Sequence, residues 1–202
     1  MMGNNKRKGD LLIDNIGELV TVAGSTRRGR EAMRDIRVLT GPASVLIRDG
    51  KIAYAGPSAD CPQVGTEVER IDAEGHCVLP GFVDSHTHLV FGGFREDEFQ
   101  WRLAGESYMS IMEKGGGIAA TTTATREASE EELTEAALLH LLSMLRMGVT
   151  TMEAKSGYGL DKETEIRQLE VAKRLDEMQP IDVISTYLGA HDIAPCLLYT
   201  SP

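Results

Sequence analysis

Cysteine is scarce in this chain, which has three cysteines among 202 residues. Cys61, Cys77 and Cys196 are odd in number and far apart, a pattern that fits neither a disulfide framework nor a zinc site made of thiolates. We therefore expect all three to be reduced thiols of minor structural importance.

Basic residues are also in the minority, with 21 lysines and arginines against 31 aspartates and glutamates. An acidic protein repels the phosphate backbone of a nucleic acid, so we expect no nucleic-acid partner. Long apolar runs are lacking too, because no stretch approaches the roughly 20 residues that cross a bilayer. Residues 1–9 lack the apolar core of a signal peptide. These features predict a cytoplasmic protein with no membrane partner.

Apolar residues make up 42% of the chain, which is enough for the core of one or two domains. In the first part, short β-prone runs are separated by turn residues, which predicts an all-β domain over residues 1–80, with residues 1–9 disordered. The pair Asp49-Gly50 lies between SVLIR and KIAYAG, and both residues tolerate the positive φ angles of a type I′ turn. This segment predicts a β-hairpin.

After Pro80, strand-like segments alternate with helical ones, the pattern of βα units around a parallel sheet. The clearest helix begins with a capping box formed by Ser129 and Glu132. Its apolar residues recur at one-turn spacing, at Leu133, Ala137, Leu141 and Leu145. We expect Gly148 to end this helix.

Two more strands and a second long helix are predicted further along. Residues 149–154 and 182–190 have the composition of strands, and residues 162–178 predict a helix that Pro180 ends. The apolar stripe of this helix is predicted to consist of Ile166, Leu169 and Ala172. Earlier in the domain, the glycines 115–117 follow a short helical segment and predict a helix stop with a mobile loop.

The segment that is most informative about chemistry is an apolar strand that ends in His86-Thr87-His88. Side chains at positions i and i+2 of a strand project to the same face, so both imidazoles can bind one ion, at about 2.0–2.1 Å for zinc. A bare H-x-H is more often two surface histidines. Here, however, an all-β domain leads through a Pro-Gly turn into the strand, and catalytic residues of βα barrels gather at the C-terminal ends of strands.

Residues 71–88, IDAEGHCVLPGFVDSHTH, resemble the signature of the amidohydrolase superfamily. The resemblance implies an α/β fold, namely a partial (β/α)8 TIM-like barrel preceded by a small β-sandwich domain over residues 1–80. Residues 81–195 would be the first βα units of the barrel. The resemblance also implies that His86 and His88 are metal ligands.

Within the superfamily, the segments THLVFGGFRE, EAKSGYGLD and YLGAH resemble the imidazolonepropionase family. This resemblance implies that Arg95 holds the propionate carboxylate of the substrate, which suits the two-pronged geometry of a guanidinium. Without it, Arg95 would be interpreted as a solvated arginine beside acidic neighbours. Tyr158 and His191 correspond to further substrate-binding residues of the family.

The implied reaction is the hydrolysis of 4-imidazolone-5-propanoate to N-formimidoyl-L-glutamate in histidine degradation. One zinc or iron ion would activate the attacking water, and the sequence does not choose between the two metals. No general base is identified in the chain. Lys155 is expected to be structural rather than a bridging ligand, because the family resembles the one-metal subgroup. Asp84 can orient a metal-bound imidazole or be ordinary strand polarity, whereas His76 and His140 are expected to be structural or surface residues.

A complete barrel of this type usually takes about 250 residues, and only 122 of the 202 residues follow Pro80. We therefore expect a truncated chain that is inactive by itself. The remaining metal ligands and the acid–base residues would lie on later strands of the full-length enzyme, which can be a homodimer. Residues 196–202 depart from the family pattern and are expected to be a non-native tail. Two alternatives stay open: another amidohydrolase, such as a deaminase or cyclic amidase, and a non-catalytic fragment without metal.

Overall fold

The computed structural model describes residues 9–22, 29–30, 34 and 36–193, which divide into two compact units on either side of the Pro80–Gly81 bond. The expectations for residues 1–8, for Cys196 and for the tail 196–202 lie outside the described residues. Within the described residues, no helix has the length and apolar character needed to cross a membrane.

The described strands of the first unit form one mixed β-sheet. Its strands are β1 (Leu11–Val22), β2 (Ile36–Arg48), β3 (Lys51–Pro57), β4 (Glu69–Asp72) and β5 (Cys77–Val78). The order is β3-β2-β1-β4, and β5 also pairs with β1. The pairs β1–β2 and β2–β3 are antiparallel, whereas β4 and β5 run parallel to β1. A short 3-10 helix, Ser58–Asp60, follows β3.

The hairpin predicted around Asp49 and Gly50 is confirmed. Arg48 lies opposite Lys51, and the two turn residues have φ angles of 49° and 73°, both positive as a type I′ turn requires. Residues 14–17 of β1, Asp-Asn-Ile-Gly, include residues typical of turns, yet Leu11–Val22 form one continuous strand. Asn15, at φ 53°, accompanies register shifts in its pairing with β2, so an irregularity lies where the sequence indicates a break.

Both faces of the central strands are covered. Val45 and Leu46 are consecutive and therefore point to opposite faces of β2, and both are buried. Val45 belongs to one apolar cluster, with Ile16, Leu19 and Ala43. Leu46 belongs to the other, with Leu12 and Val68.

The described part of the second unit, residues 81–193, contains a parallel sheet and five helices. Its strands are β6 (Phe82–Thr87), β7 (Val149–Lys155) and β8 (Asp182–Thr186), in the order β6-β7-β8. Its helices are α1 (Glu96–Leu103), α2 (Tyr108–Glu113), α3 (Gly117–Glu127), α4 (Glu130–Arg146) and α5 (Lys162–Met178). The predicted alternation of strands and helices around a parallel sheet is therefore confirmed.

Helix α3 was not predicted from the sequence, because it is rich in threonine, which has a low intrinsic helix propensity. Its buried face carries Thr121, Thr122 and Thr125. The Thr125 hydroxyl donates to the Thr121 carbonyl at 2.7 Å within the helix. Tertiary packing of this buried face thus stabilises a helix that propensity alone does not indicate.

The core of this unit lies between the sheet and helices α4 and α5. The predicted stripe of α4 is confirmed, with Leu145 at its partly buried end. The stripe of α5 was wrong at Ile166, which is 43% exposed. A polar residue, Gln168, occupies a core-facing position instead, because its amide donates to the Val90 carbonyl at 2.6 Å. The buried apolar residues of α5 are Val171, Ala172 and Leu175.

Strand β8 ends at Thr186, four residues before the predicted end. The Ser156 N–H donates to the Thr186 carbonyl, and the Ser156 hydroxyl accepts from the Leu188 N–H at 3.0 Å. These bonds tie the chain after β8 to the loop after β7 and replace the ladder of the strand.

The capping box of α4 is confirmed, with the Glu132 N–H donating to the Ser129 hydroxyl at 3.2 Å and the Ser129 N–H donating to the Glu132 carboxylate at 2.8 Å. Ser129→Ala is expected to lower the free energy of unfolding of this unit by about 1 kcal/mol, since α4 loses its N-terminal acceptor. Urea denaturation measures the change. Ser143→Ala, at an exposed position of the same helix, is the control, and equal losses in both variants would contradict the prediction.

Candidate metal and substrate site

The C-terminal ends of the three parallel strands lie at one edge of the sheet, and the predicted site residues follow these ends. His86 lies within the last two residues of β6, and His88 comes directly after the strand. Tyr158 follows β7, and His191 follows β8. The topology therefore assembles one region from segments that are far apart in sequence.

The two histidines of the H-x-H segment have different environments. His86 is exposed, whereas His88 is half-buried. Thr87, between them, donates its hydroxyl hydrogen to the Glu153 carbonyl at 2.6 Å and so ties the strand end to β7. Asp84 accepts from the backbone N–H of His86 at 3.3 Å. Its recorded hydrogen bond is thus to the backbone and not to an imidazole.

The imidazole of His88 lies in a cluster of rings. The ring centroids of Tyr158 and His191 are each 4.6 Å from that of His88, and 5.6 Å from one another. Nδ1 of His88 is buried and has no hydrogen-bond partner among the described residues. A buried ring nitrogen without a partner is an open acceptor or ligand position.

The surroundings of His88 favour its neutral form. Burial lowers the pKa of His88 below its usual 6.5, and the nearby His191 and Lys155 lower it further, while the Ser156 backbone partly opposes them. Metal ions bind the neutral imidazole, so a lowered pKa makes the binding form available over a wider pH range.

A pocket of about 450 Å³ opens beside this ring cluster. Its lining residues are His88, Phe91, Gly93, Phe94, Arg95, Thr121 and Tyr158. Three of the five site residues predicted from the sequence thus share one pocket, and His191 contacts two of their rings. His86 is not among the lining residues. Arg95 is the one charged residue in this lining.

The aromatic wall of the pocket is supported from behind by His140. Its ring stacks on Phe91, with centroids 5.6 Å apart, and meets Phe94 edge-on at 5.7 Å. The segment before Arg95 lies directly on α3, because the Gly92 N–H donates to the Thr125 hydroxyl at 2.9 Å. His140 is therefore part of the packing of this wall, in keeping with the structural role expected for it.

Arg95 is held by a residue that the sequence analysis did not identify. Its Nε lies 3.9 Å from Oε1 of Glu98, a buried carboxylate that also accepts from the Gly117 N–H at the start of α3. A Cβ at Gly116 would come within 2.9 Å of the same oxygen. The helix stop predicted at glycines 115–117 is confirmed, because α2 ends at Glu113. The loop is short, however, since Gly117 already begins α3 and its N–H binds the Glu98 carboxylate.

Lys155 is engaged in a local ion pair. Its ammonium group contacts the Glu153 carboxylate and donates to the Ser85 carbonyl at 3.3 Å. A hydrogen bond from Lys155 and, to a smaller extent, one from Thr186 lower the pKa of Glu153. These contacts agree with a structural role for Lys155. The described residues contain no group of three or more histidine, cysteine or acidic side chains able to hold a metal ion.

The profile of the amidohydrolase family matches residues 69–191, more than half of the chain. Similar curated proteins include the imidazolonepropionase of Porphyromonas gingivalis, 60% identical over 196 residues, with 96% of this chain and 46% of the relative covered. The imidazolonepropionase of Clostridium tetani is 50% identical over 187 residues, covering 92% and 44%. The chain thus spans a little under half the length of these relatives.

Solved structures with a similar fold include a triazine hydrolase from Arthrobacter aurescens, with a TM-score of 0.62, 22% identity, and coverage of 89% of this chain and 35% of that one. An atrazine chlorohydrolase variant from the same organism, complexed with zinc and atraton, has a TM-score of 0.51, 21% identity, and coverage of 87% and 35%. At these identities the likeness concerns the fold alone.

Gly157 separates the Tyr158 backbone from His191. Its φ is +117°, and a Cβ there would lie 2.8 Å from the His191 Cβ. Gly157→Ala is expected to destabilise this unit by about 1–3 kcal/mol and to displace His191. Gly105→Ala is the matched control, because Gly105 has φ +86° but open space around it. Urea denaturation should show the larger loss for Gly157→Ala, and a larger loss for the control would refute the contact.

Low pH is expected to destabilise the metal-free unit through His88. Its pKa in the folded chain lies below 6.5, so the unfolded chain binds this proton more readily. The contribution of neutral His88 to stability is therefore complete above about pH 6.5. It falls as the pH drops below this value and levels off once the folded form is protonated as well. His88→Asn should flatten this dependence when urea midpoints are compared at about pH 7.5 and 5.5. An unchanged dependence in the variant would show that other groups cause it.

Proposed function

Because the chain belongs to the amidohydrolase family, we propose that it supplies metal-binding and substrate-binding residues of an enzyme that hydrolyses 4-imidazolone-5-propanoate to N-formimidoyl-L-glutamate. The observation that carries the proposal is the pocket that combines His88, Arg95 and Tyr158. Relatives at 60% and 50% identity bear the name imidazolonepropionase, which supports the same substrate. The activity proposed is that of the whole enzyme, of which this chain spans part.

The pocket has the chemistry to accept a small planar monoanion. Arg95 offers a guanidinium for a carboxylate, in a charge-assisted pair. Phe91 and Tyr158 offer apolar ring surfaces for a flat heterocycle, and the Tyr158 hydroxyl can donate to or accept from its polar atoms. A volume of about 450 Å³ lies in the usual range for small-molecule sites. An imidazolone ring that bears a propionate combines these features.

Members of the amidohydrolase family are metal-dependent, and the chemistry of His88 fits a metal ligand. Its buried Nδ1 has no partner among the described residues, and its environment favours the neutral ring. His86 and His88 would hold one zinc or iron ion. When bound, such an ion lowers the pKa of its water, to about 7 on zinc, and so makes hydroxide available at neutral pH.

The chain's own residues orient the substrate in this proposal. Arg95 binds the propionate end of the substrate. Glu98 on α1 contacts the guanidinium and limits its movement. Tyr158 and His191 contact the same imidazole, that of His88, and therefore bring polar groups toward the end of β6. The ring of the substrate would lie between these two ends of the pocket.

Zinc titration of the purified chain tests the ligand assignment. The parent is expected to bind one zinc ion weakly, because catalytic zinc usually has three protein ligands and this chain offers two imidazoles. His86→Ala and His88→Ala should each reduce the affinity by roughly tenfold or more. His76→Ala, an exposed histidine of the other unit, is the control. Unaltered binding in both site variants would exclude the proposed ligands.

Hydrolysis assays test the substrate. The whole enzyme is expected to consume 4-imidazolone-5-propanoate, whereas residues 1–202 alone should show no robust turnover. In the whole enzyme, Arg95→Lys should raise KM by about 10- to 100-fold, the equivalent of about 1.5–3 kcal/mol for a hydrogen bond to a charged group. Arg102→Lys, at an exposed position of α1, should leave KM unchanged. Turnover of a different cyclic amide or an amine, with none of the imidazolone, would favour another amidohydrolase activity.

A further inference from the structure

Glu165 is a buried acid in the first turn of α5 whose side-chain hydrogen bonds go to the preceding loop and not to its own helix. The residue is 2% exposed. Its Oε1 accepts from the Gly159 N–H at 2.8 Å and from the Leu160 N–H at 2.9 Å. These are the two backbone amides that follow Tyr158. Oε2 is buried without a hydrogen-bond partner among the described residues.

A buried carboxylate is costly unless its hydrogen bonds compensate for the lost water. If Glu165 only filled space, an apolar side chain would do so at lower cost. Glu165 instead directs one oxygen to two adjacent N–H groups of an irregular segment, which have no ladder partners. The Glu165 side chain therefore stabilises the conformation of that segment, residues 156–160, which we name the Tyr158 loop.

The backbone of the Tyr158 loop needs such support. Leu160 has a positive φ of 52°, unusual for a residue other than glycine, and Gly157 has φ 117°. A further hydrogen bond to this loop comes from α3, where the Arg126 side chain donates to the Gly159 carbonyl at 2.7 Å. The loop is thus held by a carboxylate on its N–H groups and by a guanidinium on a carbonyl.

We propose that Glu165 is a positioning residue that sets the orientation of Tyr158 directly and the place of His191 through Gly157. Tyr158 lies between the glycine that abuts His191 and the two amides that Glu165 binds. Its ring reaches the imidazole of His88, with centroids 4.6 Å apart. The inference rests on the proposed function only in treating Tyr158 and His191 as substrate-binding residues.

Hydrogen exchange of the chain, followed by mass spectrometry, tests this role with Glu165→Ala, Glu165→Gln and the control Glu163→Ala, which removes an exposed acid of the same helical turn. Glu165→Ala should accelerate exchange in the Tyr158 loop by at least about tenfold, as expected for the loss of a hydrogen bond to a charged group. Glu165→Gln keeps a carbonyl oxygen as acceptor and should restore the protection. Peptides of β7 and α4 should not change in any variant.

Nitration of tyrosines supplies a second measurement, with Tyr54 of the other unit as internal reference. Tyr158 should react faster relative to Tyr54 in Glu165→Ala and at the parental rate in Glu165→Gln. The proposal is overturned if the loop stays protected in Glu165→Ala, if Gln fails to restore it, or if the whole unit loses protection, because Glu165 would then be a general stabilising residue. None of these outcomes depends on which substrate the enzyme hydrolyses, so failure here is distinct from failure of the proposed function.

Discussion

The parallel pairing of β7 with a strand on either side is the constraint on which the site depends. Thr87 of β6 lies opposite Ala154, and Lys155 lies opposite Thr186 of β8, so the three strands end at the same level. The Thr87 hydroxyl adds a bond to the β7 backbone at the same edge. Side chains that follow the three strands therefore meet in one cluster of rings, although they lie far apart in the sequence.

Two buried carboxylates on helices bind backbone N–H groups of irregular segments around the site. Glu98 on α1 binds the Gly117 N–H and restrains Arg95, and Glu165 on α5 binds two N–H groups after Tyr158. In both cases a glycine-containing segment approaches the acid closely enough for its backbone to donate. The strands thus set where the loops begin, and the acids set the shape that the loops take.

The elements that the sequence predicts well are those with local signals, such as the Asp49-Gly50 turn and the capping box at Ser129. The resemblance to amidohydrolases is also confirmed, by the family profile and by the relatives. Burial of Glu165 and Gln168 could not be foreseen, because it depends on backbone partners that only the folded chain brings near them. The roles of His86, His88, Arg95, Tyr158 and His191 stay predictions. The shared pocket supports those of His88, Arg95 and Tyr158, and the ring contacts support that of His191.

The charge of the pocket lining has a kinetic consequence. Arg95 is the one charged residue there, whereas the chain as a whole carries a net charge of −10. An anionic ligand approaching from a distance meets the field of the whole molecule before it meets the guanidinium. Dissolved salt screens that long-range repulsion more than the short-range contact with Arg95. Association of a carboxylate ligand with this chain should therefore become faster, and not slower, as ionic strength rises from a low value.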